Sequence, residues 1–130
     1  MLSNITYFPI FGKPLILYLG ITTFSLFIIT ASIGLMIFRG VRIPFKFHPL
    51  VAATALTFAI VHGILAIATG RVPIIILGIT TILLFFITGL IGFMIFRGKQ
   101  IPFKYHPTMA GAAITLGIIH GTLGISIYLV

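Results

Sequence analysis

The 130-residue chain is 60 % hydrophobic and carries eight Lys and Arg, four His, and no Asp, Glu or Cys. The missing acids exclude paired-carboxylate catalysis, carboxylate-held calcium or magnesium, and the buried acids that relay protons in pumps; the missing cysteines exclude disulfides, thiolate zinc sites and cysteine-held iron–sulfur clusters. With so little polar surface, and apolar runs longer than the roughly 20 residues that cross a bilayer, the composition reads as an integral membrane protein of one domain, residues 1–130.

Residues 1–13 are short and partly aromatic (Tyr7, Phe8, Phe11), which suits the membrane–water interface. No charged region precedes the first apolar run, so a cleaved signal is not expected. Asn4-Ile5-Thr6 fits a glycosylation acceptor but lies against the expected membrane surface. A first helix is predicted from about Pro14 to Phe38, with Arg39-Gly40 as its stop, and a second from near Pro44 to about Thr69, slightly bent at Pro49. A third runs from about Pro73 to Phe96 and stops at Arg97-Gly98; the fourth runs from near Pro102 almost to the end. The expected fold is an all-α, integral membrane four-helix bundle.

Shifted by 58 residues, the sequence lands on itself without a gap. Leu19-Gly20-Ile21-Thr22-Thr23 meets Leu77-Gly78-Ile79-Thr80-Thr81, and Met36-Ile37-Phe38-Arg39-Gly40 meets Met94-Ile95-Phe96-Arg97-Gly98. A little over half of the positions from Gly12 to Ile67 are identical in the copy. The chain is therefore a tandem duplication of a two-helix unit, with repeat 1 over about 12–69 and repeat 2 over about 70–130. Because each unit crosses twice, the units are parallel repeats about an axis along the membrane normal, and the second and fourth helices run in the same direction.

The loops after the first and third helices gather Arg39, Arg42, Lys46, Arg97, Lys99 and Lys104, whereas the opposite end has only Lys13 and Arg71. The positive-inside rule puts loops 39–43 and 97–101 in the cytoplasm and both termini outside, in what reads as a prokaryotic cell membrane. Bases placed in short loops between apolar helices point to membrane lipid or an anionic cofactor, and not to nucleic acid.

The four histidines form two pairs fourteen residues apart, His48 with His62 and His106 with His120. At this spacing both histidines of a helix fall on one face, separated by about 21 Å along the axis. Parallel helices bring His48 level with His106 and His62 level with His120. Two facing imidazoles without carboxylate or thiolate suit a six-coordinate haem iron, and a bundle core is a usual place for a cofactor. The first and third helices carry Gly20 and Gly34, and Gly78 and Gly92, again fourteen apart. Counted from the helix ends, these glycines match the histidines in depth and leave room for a flat macrocycle. Two b haems are expected, one on His48 and His106 towards the cytoplasm and one on His62 and His120 towards the outside.

At these residues the chain resembles the four-helix core of the cytochrome b subunit of quinol-oxidising bc-type complexes. That family has histidine pairs fourteen apart on its second and fourth helices and glycine pairs fourteen apart on its first and third. The resemblance covers the chain from about Gly12 onward in architecture and spacing. It implies a di-haem b-type cytochrome fold, with His48, His62, His106, His120, Gly20, Gly34, Gly78 and Gly92 at the matching positions. The family's Pro-Glu-Trp-Tyr quinol-oxidation motif is missing, and no such activity is carried over.

Haem propionates need cationic partners, and the expected ones are Arg39, Arg97, Lys46 and Lys104 at the cytoplasmic level, with Arg42 nearby, and Lys13 and Arg71 at the outer level. The same residues also serve topology and lipid contact. Pro49 and Pro107 free the carbonyls of Phe45 and Phe103, which are candidate acceptors for the ligand imidazoles; Thr57 and Thr115 are further candidates. Gly117 and Gly121 are expected at close helix packing, and the Thr22-Thr23 and Thr80-Thr81 pairs on their own helix carbonyls. The function read from these features is transmembrane electron transfer, by a carrier or a subunit of an oxidoreductase complex more than by a stand-alone enzyme. Expected partners are a multihaem or iron–sulfur redox subunit, or a quinone near Tyr105 and Lys104. The alternatives are a histidine-lined metal or proton carrier, and a structural membrane subunit without haem.

Overall fold

Two long helical hairpins, joined end to end, account for most of the chain. The computed structural model describes residues 1–129, with side chains through Tyr128; Val130, the last residue of the second repeat, lies outside the described residues. In chain order the elements are α1 (Leu2–Thr6), β1 (Pro9–Ile10), β2 (Lys13–Pro14), α2 (Leu15–Phe38), α3 (Phe47–Ile67), α4 (Val72–Phe96) and α5 (Tyr105–Leu129). The structure is 77 % helical, and α2 to α5 are each long and apolar enough to cross a bilayer. The chain is an all-α, integral membrane four-helix bundle.

The helices stop where the sequence supplies a residue for the left-handed region. Gly40 and Gly98 have φ of 80° and 75°. After α2 the Val41 N–H bonds the Met36 carbonyl and the Gly40 N–H bonds that of Ile37; Lys99, Met94, Gly98 and Ile95 repeat this after α4. This is a Schellman ending, which satisfies carbonyls that hydrocarbon would otherwise strand. The starts of α3 and α5 are less simple. Both begin three residues after the expected Pro44 and Pro102, at Phe47 and Tyr105. Pro49 and Pro107 therefore sit in a first turn, where the missing N–H removes no helical bond and forces no bend.

Residues 1–14 hold structure that their composition does not announce. The five-residue α1 is too short to show a period, and β1 and β2 pair across the two-residue turn Phe11-Gly12, both at positive φ (46° and 76°). Thr6, with no exposed surface, lies 2.8 Å through its hydroxyl from the Leu2 carbonyl and 3.1 Å from that of Leu65, which ties α1 to α3.

Within each repeat the helices pack closely, α2 on α3 and α4 on α5, while the two hairpins meet more sparsely along α3–α4 and α2–α5. The helices thus form a ring in which α3 faces α5, and α2 faces α4, across the bundle axis. At the centre, Phe27 and Phe85, equivalent residues of the two repeats, stack with ring centroids 3.6 Å apart and planes 6° from parallel. Ala55, Ala59 and Ala113 complete this core. Lipid tails are as apolar as these side chains, so burial itself contributes little here; close van der Waals approach, allowed by the alanines, holds the hairpins together. Large apolar residues such as Leu83, Phe86 and Phe93 face outward, more than half exposed, as a lipid-facing surface requires.

Candidate cofactor site

The histidines of α3 and α5 meet in two pairs across the axis. His48 and His106 have ring centroids 5.9 Å apart at an interplanar angle of 74°; His62 and His120 are 6.1 Å apart at 81°. The two pairs match in distance and angle because the repeat places equivalent residues on equivalent helices.

Each imidazole rests on a glycine of the other helix in its own repeat. A Cβ built on Gly34 would lie 2.9 Å from His48 Cε1, and one on Gly92 would lie 2.8 Å from His106 Cε1; for Gly20 with His62 and Gly78 with His120 the distances are 3.0 and 2.9 Å. The glycines therefore stand at the depths of the histidines, as their spacing implies. The atoms they make room for are those of the imidazole rings, so their first role is to seat the histidines; they also border the cavities described below.

The carbonyl one turn before the glycine orients the ring. His48 Nδ1 lies 3.0 Å from the Thr30 carbonyl oxygen, and His106 Nδ1 lies 2.9 Å from that of Thr88. When Nδ1–H donates to these carbonyls, Nε2 is left with a free lone pair, the arrangement of a ligating imidazole. Sequence spacing assigned this acceptor role to the Phe45 and Phe103 carbonyls, and the structure corrects it. Those carbonyls accept the backbone N–H of His48 and His106, both at 3.1 Å. At the other level the equivalent backbone belongs to Ile16 and Ile74, also four residues before the glycine. There the approach falls short of hydrogen-bond geometry, so that His62 Nδ1 and His120 Nδ1 are buried without a well-formed partner.

Both pairs open into cavities. The His48–His106 cavity, at the basic end, measures about 1140 Å³ and is ringed by Phe38, Phe45, Phe96 and Phe103. These four rings stack in two cross-repeat pairs, Phe38 on Phe103 at 5.6 Å and Phe45 on Phe96 at 5.4 Å. The His62–His120 cavity is smaller, about 330 Å³, and runs out to Arg71 and Tyr128. Both reach the size of small-molecule sites, which is roughly 300–1,000 Å³.

Of the cations expected beside a cofactor, Lys46 borders the large cavity and Arg71 the small one. Arg39, Arg97 and Lys104 do not line either; the Arg97 guanidinium lies over Phe93, and the Lys104 ammonium over Tyr105. Lys13 donates to the Tyr128 carbonyl at 2.7 Å, near the end of α5, where a cation complements the helix dipole. Thr57 and Thr115 are exposed and bond their own helix, away from the histidines. Gly117 does mark close packing, with Phe24 at 3.0 Å from its would-be Cβ, but Gly121 has nothing within 4 Å. Of the four paired threonines, Thr23, Thr80 and Thr81 bond the carbonyls one turn back, as expected, whereas Thr22 does not. Sequence reasoning missed Thr30 and Thr88, because a backbone carbonyl carries no residue-type signal.

Among the described residues no three of His, Cys, Asp and Glu cluster into a chelating group, so the donors on offer are pairs of imidazoles. Comparison of the chain with family models, curated proteins and solved structures gives no match.

Proposed function

We propose that the protein is a di-haem b-type cytochrome that carries electrons across the membrane, as the membrane subunit or partner of a larger redox complex. The observation that carries this reading is the pair of histidine pairs, facing each other at 5.9 and 6.1 Å on two levels of the bundle axis. Rings at this separation would leave room for one metal ion between their facing nitrogens. The donor set also fits, since it is neutral, all-nitrogen and limited to two ligands per level. The glycine seats hold all four rings in place, and the Thr30 and Thr88 carbonyls orient the two at the basic end.

His48 and His106 would hold one haem and His62 and His120 the other. When bound, each haem supplies a one-electron couple. With two histidines as its protein ligands, such a haem would offer no site to oxygen, which favours electron transfer over oxygen chemistry. The chain's own residues seat and orient the imidazoles through glycine contacts and the Thr30 and Thr88 carbonyls. The cavities at the two histidine pairs are lined by helices of both hairpins and leave space for a flat group there. Lys46 and Arg71, at the rims of the cavities, are the cations best placed for propionates. By charge asymmetry the six-cation end faces the cytoplasm of a prokaryotic cell and both termini lie outside. The partner is then a redox protein or a quinone that meets one end of the bundle.

The test is a reduced-minus-oxidised visible spectrum of the purified protein with a haem count per chain. Two low-spin b haems per chain are expected. Haem-free protein from a haem-replete membrane would overturn the reading.

A further inference from the structure

Between the two histidine levels, one pair of rings closes the bundle axis. Phe27 and Phe85 are 7 % and 8 % exposed, are stacked at 3.6 Å, and border both cavities. Phe27 stands seven residues after Gly20 and seven before Gly34, and Phe85 stands likewise between Gly78 and Gly92. The rings therefore lie midway between the pairs. The residues buried with them, Ala55, Ala59 and Ala113, are all apolar.

Polar groups lie on either side. Thr23 and Thr81 border the small cavity, and Thr30 and Thr88 the large one. All four residues are buried, and their hydroxyls donate to their own helix at 2.7 to 2.8 Å, so that the oxygens keep lone pairs free to accept. Along the axis the order is His62 with His120, Thr23 with Thr81, the two rings, Thr30 with Thr88, and His48 with His106. This is a ladder of hydrogen-bonding groups with one rung missing, and the missing rung is the Phe pair.

We propose that Phe27 and Phe85 are the residues that make passage along this axis selective for electrons over protons. They form a dry septum that stops a hydrogen-bonded file of water from joining the two histidine sites. A proton needs an unbroken hydrogen-bonded chain, and an apolar constriction expels the water that would complete one. An electron needs only packed matter, which two rings in van der Waals contact provide. The identity of the carried charge rests on the function proposed above; the barrier does not.

Proton leak is measured in proteoliposomes under an imposed pH gradient, with haem counted in the same preparation. Phe27→Ala with Phe85→Ala is expected to raise the leak on the order of tenfold, while Phe27→Leu with Phe85→Leu, still apolar, stays at the parental level. A folded double-alanine protein that is as tight as the parent overturns the septum. Absence of haem from the parent itself bears on the electron-transfer reading alone. Because the chain has no native cysteine, a second measurement does not depend on the folding of the alanine pair. Ala55→Cys and Ala113→Cys, at positions with no exposed surface, are expected to stay unreactive to a charged thiol reagent from both faces. Reaction from either face also overturns the proposal.

Discussion

Gly92 and His106 touch across the α4–α5 hairpin, so closely that a Cβ on the glycine would lie 2.8 Å from Cε1 and 3.0 Å from Nδ1 of the imidazole. The same Nδ1 is 2.9 Å from the Thr88 carbonyl oxygen, so the ring is held on two sides. Gly92→Ala must push the ring off that carbonyl. The helix gains about 1 kcal/mol from alanine, but overpacking costs about 1–3 kcal/mol and the displaced hydrogen bond about 1 kcal/mol more. On the di-haem reading, the expected result is loss of the haem signal from the basic-end level with helix content unchanged. Gly111→Ala, where nothing lies within 4 Å, is the control and leaves the spectrum intact.

The two histidine pairs are expected to load independently, because the Phe27–Phe85 core stands between them. On the di-haem reading, His120→Ala removes one ligand of the far-end pair only. The haem count per chain should fall from two to one, with the remaining haem still low-spin. Loss of both, in protein that keeps its helical circular dichroism, would show that the levels depend on each other.

One departure from the repeat predicts a compensating pair. Gly117 in α5 faces the Phe24 ring, 3.0 Å from its would-be Cβ, where the first repeat has Ala59 and the second has Ile82. Ile82 packs against the core that contains Ala59. A large residue thus accompanies glycine and a smaller one accompanies alanine. Gly117→Ala is expected to destabilise the bundle by about 1–3 kcal/mol through overpacking. Adding Phe24→Ile should recover most of the loss, measured as a non-additive pair in thermal or denaturant unfolding in detergent.

Thr6 anchors the N-terminal segment through a buried hydroxyl between the Leu2 and Leu65 carbonyls. Thr6→Val keeps the shape but removes the donor, and leaves the Leu65 carbonyl without this partner, at a cost of about 1–3 kcal/mol. Because that contact ties α1 to α3, the change should appear as faster proteolysis between Tyr7 and Gly12. The spectrum of the histidine sites is expected to stay the same.

The chain by itself determined the four apolar spans, the duplication, the helix stops at Arg39-Gly40 and Arg97-Gly98, and the shared depth of the histidines and glycines. All of these rest on local composition or on a linear period, and an α-helix turns a period along the chain directly into position along an axis. Tertiary structure alone decided the rest. It chose the Thr30 and Thr88 carbonyls over those of Phe45 and Phe103, because a backbone acceptor is selected by the helix that packs alongside. It set Lys13 on the end of α5 and put Lys46 and Arg71 at the cavities, since a long cationic side chain has many reachable partners. It also brought Phe27 against Phe85 on the axis. Sequence places two residues 58 apart at the same height, but only the packing of one hairpin against the other decides that they meet.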